Sequence, residues 1–159
     1  VVAARNTDID TVWIFYAWDG IATELAGLET NFMDFAKLDS TFDYYTPVIF
    51  ANNTFLEENP ETARAFLAAT AKGYEYAAAN PSEAADILLE YAPELDSELV
   101  HASQEWISEQ YIADASQWGY IDPARWDGFY TWLTENNLID GELLPGTGYT
   151  NDYLPAAEA

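Results

Sequence analysis

The stretch Phe15-Tyr16-Ala17-Trp18-Asp19-Gly20 sets two aromatic rings and one acid within a few positions of each other. Two rings can sandwich or edge-pack a flat heterocycle, each aromatic pair contributing about 0.5 to 1.5 kcal/mol beyond area burial. A carboxylate beside them can accept from an exocyclic amine or a ring N–H, a charge-assisted bond of about 1.5 to 3 kcal/mol. The rings would supply affinity and the acid selectivity. The same residues have a structural reading, in which Asp19 is the N-cap of a following helix and Tyr16 and Trp18 are core. On the residues alone that reading stands first, because Asp is a common N-cap. A third candidate ring, Trp118, lies in Gln117-Trp118-Gly119-Tyr120 between two helical patterns. It either faces a cleft or closes a helix pair, and the frequency with which Trp is buried favours the second.

Other chemistries lack their residues. The 159-residue chain has no Cys and one His, His101, so thiolate nucleophiles, disulfides and ordinary imidazole metal sites are not expected. Asp8 and Asp10 lack the downstream Gly and terminal Glu of a calcium loop. No metal, cofactor or catalytic centre is expected. Lys and Arg number 5 against 28 Asp and Glu, a formal charge of -23, which repels phosphate backbones and anionic lipid and argues against nucleic-acid or membrane-surface partners. Hydrophobic residues still make up 50% of the chain, so the acidity belongs to the surface of a globular protein. No run of about 20 apolar residues occurs. The start, Val1-Val2-Ala3-Ala4, reads as though cut from the middle of a longer chain.

Certain elements must position these residues. Thr11 to Tyr16 is β-branched and aromatic without polar alternation, the pattern of a strand covered on both faces. Ile21, Leu25 and Leu28 then recur at helical spacing just after Asp19. Further extended pieces are expected at 31–35 and 44–51, with Pro47 confining the latter to an edge, an end or a crossing segment. Beyond them the pattern is helical. Asn59-Pro60, Asn80-Pro81 and Asp122-Pro123 each place a capping side chain before a proline at the first helical position. Ala63, Phe66, Leu67, Thr70, Tyr74 and Ala77 line the first helix, and Ala84, Ile87, Leu88 and Tyr91 the second, which Pro93 stops. Asp96 opens a third with Leu99, Val100 and Trp106 inward, and Trp126, Phe129, Tyr130 and Leu133 face inward on the last. In the turn-rich tail Tyr149, Asn151 and Tyr153 are expected to pack back, and 156–159 to fray.

Taken together, "DTVWIFYAWDGI", the run from "NNTFLEENPETARAFLAATAKGYEYAAANPSEAADILLEYAPELD", "WGYIDPARWDGFYTWLTENNLI" and "TNDYLP" resemble the C-terminal half of substrate-binding proteins of ABC importers. The group they resemble is the one that shares its domain with thiamine-pyrimidine synthesis proteins and includes the formylaminopyrimidine receptors. The resemblance implies an α/β fold, part of a two-lobed periplasmic-binding-protein-like (type II) architecture, helix-rich in this fragment. Residues 1–46 would end the second lobe, and 47–159 would supply the crossing strand and the C-terminal helices that complete the first lobe.

That resemblance reverses the order of the two readings of Asp19. In open parallel sheets ligands bind beyond the carboxyl ends of strands, and Tyr16, Trp18 and Asp19 sit at such an end, with Trp118 a weaker candidate. Pyrimidine-binding relatives carry Trp-x-Tyr-Glu where this chain has Tyr16-Ala17-Trp18-Asp19, so the ring order is swapped and the acid is one methylene shorter. The implied function is non-catalytic capture of a small heterocyclic ligand such as a thiamine pyrimidine precursor. The implied partners are an ABC permease and the N-terminal half of the receptor, without which the fragment is expected to self-associate. The implied place is extracytoplasmic, in a periplasm or lipid-anchored at the cell surface. Two alternatives are a helical protein-interaction module and a pyrimidine-synthesis enzyme. Enzymes of the latter kind consume an active-site His and need a Cys-rich stretch with iron, and this chain offers no Cys and only His101 within a helical pattern.

Overall fold

A computed structural model describes residues 8–141 and 143–156; the expected abrupt start at 1–4 and the fraying of 157–159 lie outside them. The regular elements among the described residues are helical: a π-helical turn Tyr16–Gly20, α1 (Ile21–Leu25), α2 (Phe35–Leu38), a 3-10 turn Ser40–Phe42, α3 (Asn53–Glu58), α4 (Pro60–Ala79), α5 (Pro81–Tyr91), α6 (Ser97–Ser108) and α7 (Pro123–Glu135). They form two compact units, Val1–Phe32 with Gly73–Asp114 and Met33–Lys72 with Ala115–Ala159, the boundary falling inside α4.

The strands expected at 11–16, 31–35 and 44–51 are not formed among the described residues, so the strand half of the α/β expectation has no counterpart there. Phe15 does hold extended dihedrals, φ -100° and ψ 116°. Side-chain pattern favours extended backbone locally, but a strand is a ladder and requires a partner for its N–H and C=O groups. Without one, Trp13 is 63% exposed rather than covered, and Phe50 in the third segment is 93% exposed. The piece at 31–35 instead leads into α2.

In the first unit the π-turn and α1 pack on α6, and α5 packs on α6 as well. Asp96 caps α6 as expected, accepting from the Leu99 N–H at 2.9 Å. Asn80 does something other than open α5: its amide donates to the Tyr76 carbonyl at 3.0 Å, closing the end of α4, and makes no side-chain cap on α5. The buried face of α5 differs in phase from its apolar stripe: the buried residue is Ala85, while Ile87, Leu88 and Tyr91 are exposed. Small residues let backbones approach closely, so the covered side of α5 is its Ala side. The stripe of α4, which spans the unit boundary, keeps its phase, with Ala63 buried and Leu67, Thr70 and Ala77 half-buried, though Phe66 and Tyr74 are exposed. Leu99 and Val100 of α6 face inward as the spacing predicts, whereas Trp106, expected inward with them, is exposed beyond its contact with the Tyr16 ring.

The second unit is organised by the aromatic stripe of α7, which Asp122 caps by accepting from the Arg125 N–H at 3.0 Å. Phe42, in the 3-10 turn, meets the Trp132 ring edge-on at 5.1 Å, and Tyr44 stacks on Phe129 at 4.3 Å. The tail packs back as expected. Asn151 brackets Ile121, accepting from its N–H at 3.0 Å and donating to its carbonyl at 2.9 Å. Tyr149 meets the Trp126 ring at 5.4 Å, and the Arg64 guanidinium stands 5.2 Å from the centre of the Tyr153 ring. α3 has no counterpart in the sequence expectations; Asn52 caps it through the Thr54 N–H at 2.8 Å.

Candidate functional site

The chain enters the site extended and turns at once. The Trp18 and Asp19 N–H groups donate to the Phe15 carbonyl at 3.1 and 2.9 Å, and the Ile21 N–H reaches back to the Tyr16 carbonyl, the five-residue step of a π-turn. Such turns are frequent at functional sites. α1 then continues the same helical path.

Gly20 makes the turn possible through space. Its dihedrals are ordinary helical ones, φ -62° and ψ -51°. A Cβ there, however, would lie 2.5 Å from Cδ2 of Tyr16, so only glycine lets the Tyr16 ring fold across the turn. The ring is held on three sides. Its hydroxyl donates to Oε1 of Glu24 at 2.7 Å, and its centroid lies 4.7 Å from that of Phe32 and 5.0 Å from that of Trp106. The bond to Glu24, then burial, then the negative charge of Glu24 push the Tyr16 phenol above its ordinary pKa.

Asp19 is not the N-cap that its sequence position suggested, since neither the π-turn nor α1 has a side-chain cap. Its Oδ2 instead accepts from the Phe15 N–H at a long 3.4 Å, and its main-chain carbonyl accepts from the buried Thr23 hydroxyl at 2.7 Å. Trp18 is 39% exposed. The π-turn therefore groups Tyr16, Trp18 and Asp19 on one short segment, with Tyr16 turned into an aromatic cluster and Trp18 partly open to solvent. Trp118 belongs to the second unit, where it is half-buried in a turn.

Glu24, Gly20, Phe32 and Trp106 were not singled out for the site on sequence grounds. The eight-residue spacing of Tyr16 and Glu24 is two helical turns, a signal for the first of these. Nothing local marks Phe32 or Trp106 as neighbours of Tyr16. A recess of about 170 Å³ lies in the second unit, lined by Tyr44, Tyr45, Thr46, Trp126, Phe129 and Tyr130, and none of the four candidates lines it. Among the described residues no helix is long and apolar enough to cross a membrane.

Comparison with known proteins places these residues in a lineage. The formylaminopyrimidine-binding protein of Halalkalibacterium halodurans is 28% identical over 113 residues, covering 69% of this chain and 34% of that protein. The riboflavin-binding protein RibY of Chloroflexus aurantiacus is 24% identical over 136 residues, covering 81% of this chain and 38% of that protein. The matched part thus spans little more than a third of the length of either relative. The model of the family described as NMT1/THI5 like matches residues 2–84, just over half the chain. With that match running through the π-turn and into α5, the chain belongs to the NMT1/THI5-like family, whose fold is of the periplasmic-binding-protein type.

Proposed function

We propose that this chain is the C-terminal part of a solute-binding protein of an ABC importer, which captures a small aromatic or heterocyclic nutrient outside the cytoplasmic membrane and does no chemistry on it. The observation that carries the reading is the π-turn: it sets a partly exposed indole, Trp18, next to a carboxylate, Asp19, on a segment held by Tyr16 and Gly20. An indole face and a carboxylate are the two things a flat ring with a hydrogen-bond donor requires. The names of the two relatives, one for a formylaminopyrimidine and one for riboflavin, support a ligand of that kind.

In this reading residues 1–46 end the second lobe of the receptor, 47–159 supply the crossing segment and the helices of the first, and Trp118 is a subsidiary contact. The remaining lobe segments and a membrane permease are the partners, and the receptor is periplasmic or lipid-anchored. Mass spectrometry of small molecules that copurify with the full-length receptor tests the ligand class. A flat heterocycle with an N–H donor is expected; a sugar, an amino acid or a metal chelate contradicts it.

A second reading, a helical interaction module, draws on α5, which turns Ile87, Leu88 and Tyr91 to solvent. It expects capture of a protein partner that Tyr91→Ser abolishes, with no small-molecule ligand. The same exposed residues support self-association of the isolated chain, for which sedimentation would show species heavier than the monomer.

A further inference from the structure

No residue of the turn that carries Trp18 and Asp19 lines the recess in the second unit, and its chemistry differs. It lies between the segment Tyr44-Tyr45-Thr46 and α7, which contributes Trp126, Phe129 and Tyr130. The walls hold one another in place: Tyr44 stacks on Phe129 at 4.3 Å with planes 17° apart, Phe129 meets Tyr130 edge-on at 5.8 Å, and Trp126 lies 5.1 Å from Tyr130. Its volume, about 170 Å³, is near that of a cavity of about 150 Å³ that admits benzene.

The polar ends of two lining rings are engaged by the backbone. The Tyr45 hydroxyl accepts from the Asp122 N–H at 2.9 Å, and the Trp126 indole N–H donates to the Thr147 carbonyl at 3.0 Å. What these rings offer a guest is their π surface. No charged side chain lines the recess. The neighbouring cation, Arg125, stands over the Tyr45 ring at 4.3 Å from its centre and is paired with Asp43 at 2.5 Å, so one ring of this group already receives a cation on its face.

Charge then selects the guest. The chain carries a formal charge of -23, which draws cations toward it and repels anions. A primary ammonium brings three N–H donors that require acceptors on leaving water, and ring faces supply these poorly. A quaternary ammonium brings none; its charge is spread over methyl groups that fit against aromatic faces. We propose that the recess between Tyr44–Thr46 and α7 binds a small quaternary ammonium cation through its aromatic walls.

The test is an NMR titration of the 159-residue chain, at constant ionic strength, with tetramethylammonium and choline and with 3,3-dimethyl-1-butanol, the uncharged carbon analogue of choline. The cations are expected to shift the Tyr44, Phe129 and Tyr130 ring resonances saturably, with the neutral analogue binding about tenfold more weakly or worse. Equal binding of the neutral analogue overturns the proposal, because the recess is then only an apolar niche. So does the absence of any saturable shift with the cations. Tyr130→Leu, which keeps apolar bulk but removes the ring, is expected to weaken choline about tenfold, and Tyr130→Phe to leave it unchanged. Loss of binding in Tyr130→Phe, with helical circular dichroism intact, overturns the aromatic-wall account. Shifts of the same rings that follow protein concentration instead of choline assign the recess to a second copy of the chain and likewise overturn it.

Discussion

The rings of Tyr16 and Trp106 lie 5.0 Å apart, centroid to centroid, with their planes 52° from each other. Two residues far apart in sequence thus tie the π-turn to α6, and the turn is anchored before any ligand arrives. A preorganised segment binds with less loss of conformational freedom than one that must order on contact. Tyr16 thereby holds the segment that bears Trp18 and Asp19, the two residues proposed to contact a ligand.

Removing the Tyr16 hydroxyl and removing its ring should therefore differ. Tyr16→Phe deletes one exposed hydrogen bond and is expected to destabilise the chain by about 1 kcal/mol or less. Tyr16→Ala also deletes the contacts with Phe32 and Trp106, and a loss of about 2 kcal/mol or more is expected. Urea denaturation followed by helical circular dichroism measures both, and equal losses would show that the ring contacts contribute nothing.

Gly20→Ala places a methyl group against the Tyr16 ring, 2.5 Å from Cδ2. Elsewhere in a helix this exchange stabilises by up to about 1 kcal/mol; here overpacking should win, with a net loss of about 1 to 3 kcal/mol. Combined with Tyr16→Ala the substitution should become neutral or favourable. A double-mutant cycle that shows simple additivity would remove the steric explanation.

The helix starts show how far local pattern reaches. Asp96 and Asp122 cap α6 and α7 as their positions predict, and the proline signals before α4, α5 and α7 fall on the observed first residues. Asn80 carries the same signal but serves the carbonyl of Tyr76, because an Asn amide between two abutting helices can satisfy either end. The strands expected at 11–16, 31–35 and 44–51 are a different case: a strand needs partners that lie far along a chain, and no local pattern supplies them. Nor was the phase of α5 legible, with Ala85 buried in place of the larger Ile87 and Leu88. For the candidate site, the aromatic and acidic residues of 16–19 were legible as a group, whereas the roles of Phe32 and Trp106 arise from packing alone.

Asp96→Ala and Asp122→Ala should each cost about 1 kcal/mol through loss of an N-cap. Asp122→Ser should retain most of that stability, since its hydroxyl can still accept from the Arg125 N–H. Thermal melts of the three variants measure this, and an Asp122→Ser variant as unstable as Asp122→Ala would show that the hydroxyl does not replace the cap.

His101 should make the first unit mildly pH-dependent. Its Nδ1 lies 2.8 Å from the Ser97 carbonyl and its Nε2 3.1 Å from the Asp86 carboxylate, two acceptors that only the doubly protonated ring satisfies together. The Ser97 carbonyl first, then the bond to Asp86 and its charge, raise the His101 pKa against an opposing effect of burial. A folded-state value above the unfolded one, about 6.5, means stability fully present below pH 6.5 or so and lost as pH rises through the folded value. As the chain has one histidine, its imidazole proton resonance reports the titration directly. Asp86→Asn should lower the midpoint, and an unchanged midpoint would remove Asp86 as a cause.

Trp18 and Asp19 are proposed to contact the ligand, and calorimetry on the full-length receptor tests this most directly. With its copurifying heterocycle, or with a formylaminopyrimidine or riboflavin as probe, Asp19→Ala and Trp18→Ala are each predicted to weaken binding tenfold or more, about 1.4 kcal/mol, while the melting temperature of the free protein barely changes. Unchanged affinity in both variants would contradict the assignment of the π-turn as the ligand site.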